Sequence, residues 1–538
     1  MNNRVVRTLV AAGSFAMFVA SGTEKINAQG TEAVTLTAND GSFTAMGMLL
    51  DVTENEFIVE SPTIGVVRLD RDMVTCSGTS CPQDVTWDPK FGIHGSRTVG
   101  TTLIPNLLEG YAESLGGRME IEETGDPSAR IVRVFTSDGQ LRAEIDLQTR
   151  GSGSAITGLL GGEAVIGLTD RRFNSGDLEK MTAAGQADLR DTENEIVLGV
   201  DGIVVITNPA NPVRDLSSEE VSRIYSGEIT NWLELGGGDV PISVQTYGEG
   251  SGDRSVLLNG LVRPFGRDET ANVTRWEAYQ DLVDAVAAER GAIGYVGRWL
   301  AATNDVNMMP IREVCGLQSE PSDFRMKIEG YSLSRRLYAY KLPGDLHPEA
   351  KRFLDWTLTR PAQPYIKESH FIDRDLERMR LEDMGQALIH TAAVEPDFSG
   401  RQYSEMMREL RGADRLSISF RFSSGSSRLD SESVRNVAEL ARLVEAGEFV
   451  GHEILLVGFA DAIGESDANT RLALARAEQV LDIMRTELAQ NADALAGLKA
   501  VSFGELLPLS CNDTDEGRER NRRVEVWLRL PGSRSAIR

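Results

Sequence analysis

Between residue 91 and about residue 375, short apolar runs alternate with stretches of helical spacing, and this alternation limits the fold more than any other feature of the chain. Ala164-Val165-Ile166-Gly167-Leu168 and Ile203-Val204-Val205-Ile206 have the length of buried strands, whereas residues 217–225 and 349–359 repeat their apolar positions at helical spacing. Such alternation predicts an α/β domain with largely parallel sheets. A second α/β unit is expected over 414–530, where Leu416-Ser417-Ile418-Ser419-Phe420 alternates as a strand and residues 432–445 and 470–488 read as amphipathic helices. Residues 376–413, charged and broken at Glu395-Pro396-Asp397, are expected to form a linker of two helical pieces. Ahead of both units, residues 33–90 read as a small β module. Val34-Thr35-Leu36-Thr37 and Glu56-Phe57-Ile58-Val59-Glu60 alternate, and Asn39-Asp40-Gly41 signals a turn. Residues 531–538 read as a disordered tail, and no internal repeat is visible.

The 538 residues, 41% of them hydrophobic, suffice for several domains that each bury a core. Lys and Arg number 56 against 81 Asp and Glu, giving a net charge of -25. A nucleic-acid duplex would repel such a chain, which argues against a nucleic-acid partner. At the N-terminus, Arg4 and Arg7 precede an apolar stretch over 9–20, and small and polar residues follow through Ile26-Asn27-Ala28-Gln29. That stretch is too short to span a bilayer, so residues 1–28 are expected to be a signal peptide cleaved after Ala28, with export to the periplasm. Export places the four cysteines where disulfides persist. Cys76-Ser-Gly-Thr-Ser-Cys81 predicts a small disulfide loop between Cys76 and Cys81, since a metal site there lacks two further ligands. Cys315 and Cys511 either pair across domains or stay free.

The C-terminal unit carries the sharpest motif set. Gly458-Phe459-Ala460-Asp461-Ala462-Ile463-Gly464 follows a strand over 453–457; Asn469, Leu472, Arg476 and Ala477 lie on a helix; Gly517-Arg518 precedes the strand Asn521-Arg522-Arg523-Val524-Glu525-Val526. Together with Phe422-Ser423-Ser424-Gly425-Ser426, these segments resemble the OmpA-like peptidoglycan-binding family over residues 416–528, in the family's order. The resemblance implies that the unit binds the diaminopimelate stem peptide of peptidoglycan, with Asp461 taking the ammonium and Arg476, fifteen residues on, taking the carboxylate through a two-bond fork. Each such charge-assisted bond is worth roughly 1.5–3 kcal/mol. Asn469 is expected to orient the loop, and Leu472 and Arg523 to complete the binding set. Where the family usually has His-Thr, this chain has Phe459-Ala460.

Residues 91–375 resemble phosphate ABC-transporter substrate-binding proteins. The likeness rests on Gly95-Ser96-Arg97-Thr98-Val99, Gly151-Ser152-Gly153-Ser154, Gly167-Leu168-Thr169-Asp170, Ile224-Tyr225-Ser226-Gly227-Glu228-Ile229-Thr230-Asn231-Trp232, Gly248-Glu249-Gly250-Ser251-Gly252-Asp253-Arg254 and Ala292-Ile293-Gly294-Tyr295, in the family's order. It implies two α/β lobes joined by a hinge and closing on phosphate or a related small anion, and an inner-membrane ABC transporter as partner. Helix starts preceded by Gly/Ser turns direct N–H groups and positive potential at an anion. By the resemblance, Thr98, Val99 through its N–H, Ser152, Ser251 and Gly252 line the pocket, and Asp170 accepts the proton of a protonated oxyanion. Two positions depart. Tyr247 stands where the family often has Arg, and Asp253 where it usually has Thr; a second carboxylate costs oxyanion affinity. Arg97 or Arg254 is available to restore positive charge. The Gly95–Thr101 segment lacks the Lys of a phosphate loop, which excludes nucleoside triphosphates.

The five histidines, His94, His347, His370, His390 and His452, form no metal pair at helical spacing, and no nucleophile elbow occurs. No enzymatic activity, cofactor or metal is expected. The whole chain is therefore read as a multidomain α/β protein: a small β module, a two-lobed periplasmic-binding-protein fold and an OmpA-like α/β sandwich. The expected function is a periplasmic oxyanion receptor held on peptidoglycan, in the cell wall or at the outer membrane. The alternative is a structural or sensory envelope tether whose middle domain no longer binds phosphate.

Overall fold

The alternation near the N-terminus becomes a five-stranded antiparallel sheet in this computed structural model, which describes residues 33–38, 43–52, 56–61, 65–71, 73–78, 81, 88–249, 251–344, 346–394, 399–422, 428–488, 495 and 497–531. Outside them lie the signal peptide, the Asn39-Asp40-Gly41 turn, the Glu395-Pro396-Asp397 break, all of the Phe422–Ser426 stretch but Phe422, and the tail beyond Pro531. The first unit comprises β1 (Ala33–Ala38), β2 (Thr44–Val52), β3 (Glu56–Ser61), β4 (Gly65–Asp70) and β5 (Val74–Ser77), in the order β4-β3-β2-β1-β5. Val34, Leu36, Phe57, Val59 and Val74 turn one face inward, as period-two alternation requires. Cys76 and Cys81 are bonded, as their spacing predicts.

The second unit begins at Pro89. Its large sheet contains β6 (Lys90–Gly95), β7 (Arg118–Glu123), β8 (Ala129–Phe135), β9 (Leu141–Gln148), β10 (Ile166–Thr169), β11 (Glu195–Thr207), β12 (Ser243–Tyr247), β13 (Thr274–Trp276), β14 (Ala292–Gly297) and β15 (Ser334–Tyr340). The order is β13-β12-β14-β11-β15-β10-β6-β9-β8-β7. The helices that matter for the sites are α1 (Ile104–Ser114), α2 (Ser152–Gly161), α3 (Ser218–Tyr225), α4 (Gly252–Leu257) and α5 (Tyr279–Ala288). Ser217 caps α3 in a capping box with Glu220, which is why the helix starts where its periodicity does.

The sheet is mixed, not largely parallel as expected. Parallel pairing is confined to β10-β6-β9 and β13-β12-β14. β11 and β15 run antiparallel to each other, and β11 is buried along its whole length. The first half of β11 pairs with β15 and its second half with β14, so this strand passes from one lobe into the other. Each lobe keeps its own core: Ile93, Leu107, Ile145 and Leu168 in the first, Val205, Trp232, Leu257 and Ile293 in the second.

The C-terminal sheet has the order β16-β17-β20-β18-β19, with β16 (Arg378–Arg380), β17 (Ala413–Arg421), β18 (Glu453–Phe459), β19 (Leu498–Ser502) and β20 (Arg523–Arg529). Helices α6 (Gly385–Val394) and α7 (Gly400–Leu410) cover one face, and α8 (Ser431–Glu445) and α9 (Ser466–Glu487) the other. Residues 376–413 are thus not a linker. β16 pairs with β17, and Leu388, Met406 and Leu410 are buried with Val457 and Trp527. The apolar spacing of Tyr403, Met406, Met407 and Leu410 is that of a helix docked along one side. Among the described residues, no helix is long and apolar enough to cross a membrane.

Both lobes adjoin the C-terminal domain. Cys315 of the second lobe is disulfide-bonded to Cys511, which resolves the open pairing. Phe324 and Ile328 pack on Leu509; Arg520 donates to the Ser332 carbonyl at 3.1 Å. On the first-lobe side, Ser431 and Arg435 bond to Glu195, and Arg374 meets Glu432 at 3.1 Å. Between them sits Glu329, partly buried and ion-paired with Arg336 and with Arg421 at 3.1 Å.

Candidate functional sites

The predicted anion-site residues converge where the lobes meet. Gly151, with φ 109, turns the chain into α2, and the first residue of that helix, Ser152, donates to Asp170 Oδ1 at 2.6 Å. Thr98, at the start of a helical stretch that continues into α1, lies 3.5 Å from Asp170 Oδ2. Ser251 caps α4 by accepting the Arg254 N–H at 3.3 Å. A side chain on Gly252 would begin 3.5 Å from Asp170 Oδ2, which places this second-lobe backbone against the first lobe. Val99 is buried, with its N–H 3.5 Å from Ser96 Oγ. His94 is also buried, beneath α2.

The positive charge at this junction comes from a residue that the sequence reading did not select. Arg335 on β15 reaches into the cleft, with Nε and Nη2 donating to Asp201 Oδ2 at 3.2 and 2.9 Å and Nη1 to Asp170 Oδ2 at 3.1 Å. The same Nη1 stands 3.0 Å from Asp253 Oδ1. Three carboxylates therefore surround one guanidinium, and all four groups are nearly withdrawn from solvent. Burial raises the Asp253 carboxyl to about 6; Arg335 opposes the rise, and Asp201 and Asp170 add to it. Burial also raises Asp201, whereas at Asp170 the opposing pull of Arg335 and Ser152 prevails and holds the carboxyl low. Neither arginine considered from sequence supplies this charge: Arg254 is bound to Glu269 at 2.8 Å, and Arg97 is exposed. Tyr247 is buried edge-on to Tyr279 and Tyr295, its hydroxyl without a hydrogen-bond partner among the described residues. A signal for Asp201 was present: an acid inside the apolar run of β11 must find a buried partner.

A second cluster lies at the end of β18. Asp461 accepts the Ile463 N–H at 3.0 Å and pairs with Arg522 at 2.8 Å. Asn469, at the first turns of α9, donates to the Asp461 and Ile463 carbonyls at 3.2 and 3.1 Å and to Glu505 at 2.6 Å, so it holds the loop. Asn512 accepts the Ala462 N–H at 3.2 Å from the other side. Arg476 is close enough to Asp461 and Arg522 to feel both charges, and burial followed by Arg522 shifts it below the usual arginine range. Its Nη1 is buried without a hydrogen-bond partner among the described residues, and its guanidinium stacks 5.5 Å from the Phe422 ring. Leu472 is 47% exposed on α9. Arg523 is not part of this surface. It is fully buried, bonded to Glu525 and to the Leu507 carbonyl at 2.7 Å, because it opens β20 on the face that alternation gives to Glu525.

Residues 138–361 match the PBP superfamily domain, and residues 421–522 match the OmpA family. The chain joins a PBP superfamily domain to an OmpA family domain. The first is similar to the phosphate-binding protein PstS of Bacillus subtilis (strain 168), 25% identical over 260 residues, which cover 48% of this chain and 76% of the relative. The second is similar to the probable lipoprotein YiaD of Escherichia coli (strain K12), 30% identical over 107 residues, 20% of this chain and 46% of the relative. Among solved structures, a putative phosphate ABC transporter substrate-binding protein with bound phosphate from Clostridium perfringens aligns at 25% identity and TM-score 0.39, over 53% of this chain and all of that one. The Arg335 cleft lies in the PBP superfamily domain, and the Asp461 loop lies in the OmpA family domain.

Proposed function

We propose that this protein is an exported envelope receptor for phosphate or a close oxyanion, held on peptidoglycan by its OmpA family domain. The observation that carries the receptor reading is the gathering of Thr98, Ser152, Ser251 and Gly252 from two lobes around Asp170 and Arg335. Neutral donors, one guanidinium and one proton acceptor are the chemistry a protonated tetrahedral oxyanion needs. The PstS relative, named as a phosphate-binding protein, supports the same ligand class. A middle domain over 91–375, export through residues 1–28 and service to an inner-membrane ABC transporter belong to this reading. Titration calorimetry of the full chain with phosphate tests it: saturable binding that Ser152→Ala abolishes is expected.

The wall-binding half rests on Asp461 and Arg476, an anion and a cation placed side by side. Arg476 retains a buried donor available to a carboxylate, and Arg522 holds Asp461 until an ammonium takes its place. Asp461→Ala and Arg476→Ala should each abolish pelleting with purified sacculi while the circular dichroism spectrum is unchanged; retained pelleting in both refutes the assignment. One observation favours the tether as a second reading: three carboxylates already engage Arg335. A flat titration with phosphate, sulfate and related anions would select it.

A further inference from the structure

We propose that Arg335 is the cation that takes the oxyanion in this chain, and that the anion binds by displacing Asp253, whose carboxyl then carries a proton. This rests on the oxyanion-receptor reading and adds the charge state of its ligand: a proton-bearing, singly charged tetrahedral oxyanion such as dihydrogen phosphate or its arsenate analogue.

The three carboxylates around Arg335 are held differently. Asp201 Oδ2 takes two directed hydrogen bonds, from Nε and Nη2, and so anchors the guanidinium on β15. Asp170 Oδ2 takes one, and its Oδ1 takes another from Ser152. Asp253 Oδ1 stands 3.0 Å from Nη1 but has no directed hydrogen bond among the described residues, although the residue is only 2% exposed. It is therefore the partner most easily replaced on Nη1. It also follows Gly252 at the start of α4, beside the neutral donors of the cleft.

Charge requires the proton. Three carboxylates and one guanidinium sum to two negative charges, and an oxyanion adds at least one more in a place with little water to screen it. The other groups facing Asp253 are the hydroxyls of Tyr247, Tyr279 and Tyr295, which burial keeps protonated and which cannot offset the excess. A proton on Asp253 removes one negative charge and turns its carboxyl into a donor that an oxyanion oxygen can accept. The proton comes from solvent, one per anion bound. Sulfate, doubly charged and bringing no proton, gains less from the exchange.

Calorimetry of the full chain with inorganic phosphate at pH 6, 7 and 8, in pairs of buffers with different ionisation heats, reads this proton directly. Above pH 6, wild type should take up one proton more than Asp253→Asn, and its affinity should fall about tenfold per pH unit beyond the fall shown by the variant. Arg335→Met should weaken phosphate binding at least about a hundredfold, with partial recovery in Arg335→Lys. Equal proton uptake and equal pH slopes in wild type and Asp253→Asn, or unchanged binding in Arg335→Met, would overturn the inference while leaving the receptor reading intact. If no protein binds phosphate at any pH, both fall. Should Asp253→Asn fail to fold by circular dichroism, Asp253→Thr replaces it, with the same expected loss of one proton.

Discussion

Arg522 and Arg523 are adjacent in sequence and unlike in role. The first faces Asp461 across the loop; the second is sealed in the core against Glu525. Arg415 still pairs Glu525 at 2.8 Å when Arg523 is removed, but the buried Leu507 carbonyl loses its donor, at a cost of about 1–3 kcal/mol. Arg523→Met should therefore lower the thermal midpoint of the full chain by several degrees, whereas Arg522→Met should leave it nearly unchanged; calorimetric melting distinguishes the two. A motif names Asp461, Asn469 and Arg476 in order, and the fold brings them to one end of β18. Arg335 was not legible, since a strand arginine looks the same in sequence whether it points to water or into a cleft. Glu329 makes a pH prediction. Burial opposes its ionisation, but Arg336, Arg421 and Arg520 outweigh burial and hold its carboxyl at about 2, below the ordinary 4.5. A depressed carboxyl stabilises the fold above its unfolded value and loses that contribution as pH falls toward the folded one. Melting temperature should drop between pH 4.5 and 2, and Glu329→Gln should flatten that drop while being less stable at pH 7.

At the scale of elements, α9 carries both Asn469 and Arg476 and lies directly on β18. A Cβ on Gly458 would stand 2.0 Å from the Ala473 carbonyl, so only glycine lets helix and strand approach this closely. Gly458→Ala should shift α9 along its length, cost about 1–3 kcal/mol and weaken sacculus pelleting together with stability. Chemical denaturation and the pelleting assay, run on the same sample, check this; a stable variant with intact pelleting would contradict it. Helix starts and strand cores such as α3, α8 and β18 were readable from periodicity to within a few residues. The antiparallel run of β11 against β15 was not, because an apolar strand carries no mark of its neighbour's direction.

Across the whole molecule, the OmpA family domain touches both lobes of the PBP superfamily domain at the strands that join them. The Cys315–Cys511 disulfide ties it to the second lobe, and Ser431, Arg435 and Glu432 tie it to the first. Any opening of the lobes would therefore work against this seam. Replacing both cysteines, Cys315→Ser with Cys511→Ser, should cost about 2–4 kcal/mol and separate one melting transition into two, which scanning calorimetry resolves; a single transition at the wild-type temperature would argue against the seam as a mechanical link. The described part of residues 376–413 strengthens it, since its strand and helices belong to the C-terminal domain. By itself the sequence determined the α/β alternation, the local disulfide and the ordered motif around Asp461, because spacing, turn chemistry and ordered motifs act over short chain distances. Only tertiary structure decided which arginine stands in the cleft beside Asp170, which cysteine Cys315 finds and how the domains meet. Those depend on residues far apart in the chain whose charges must be paired once both are removed from water.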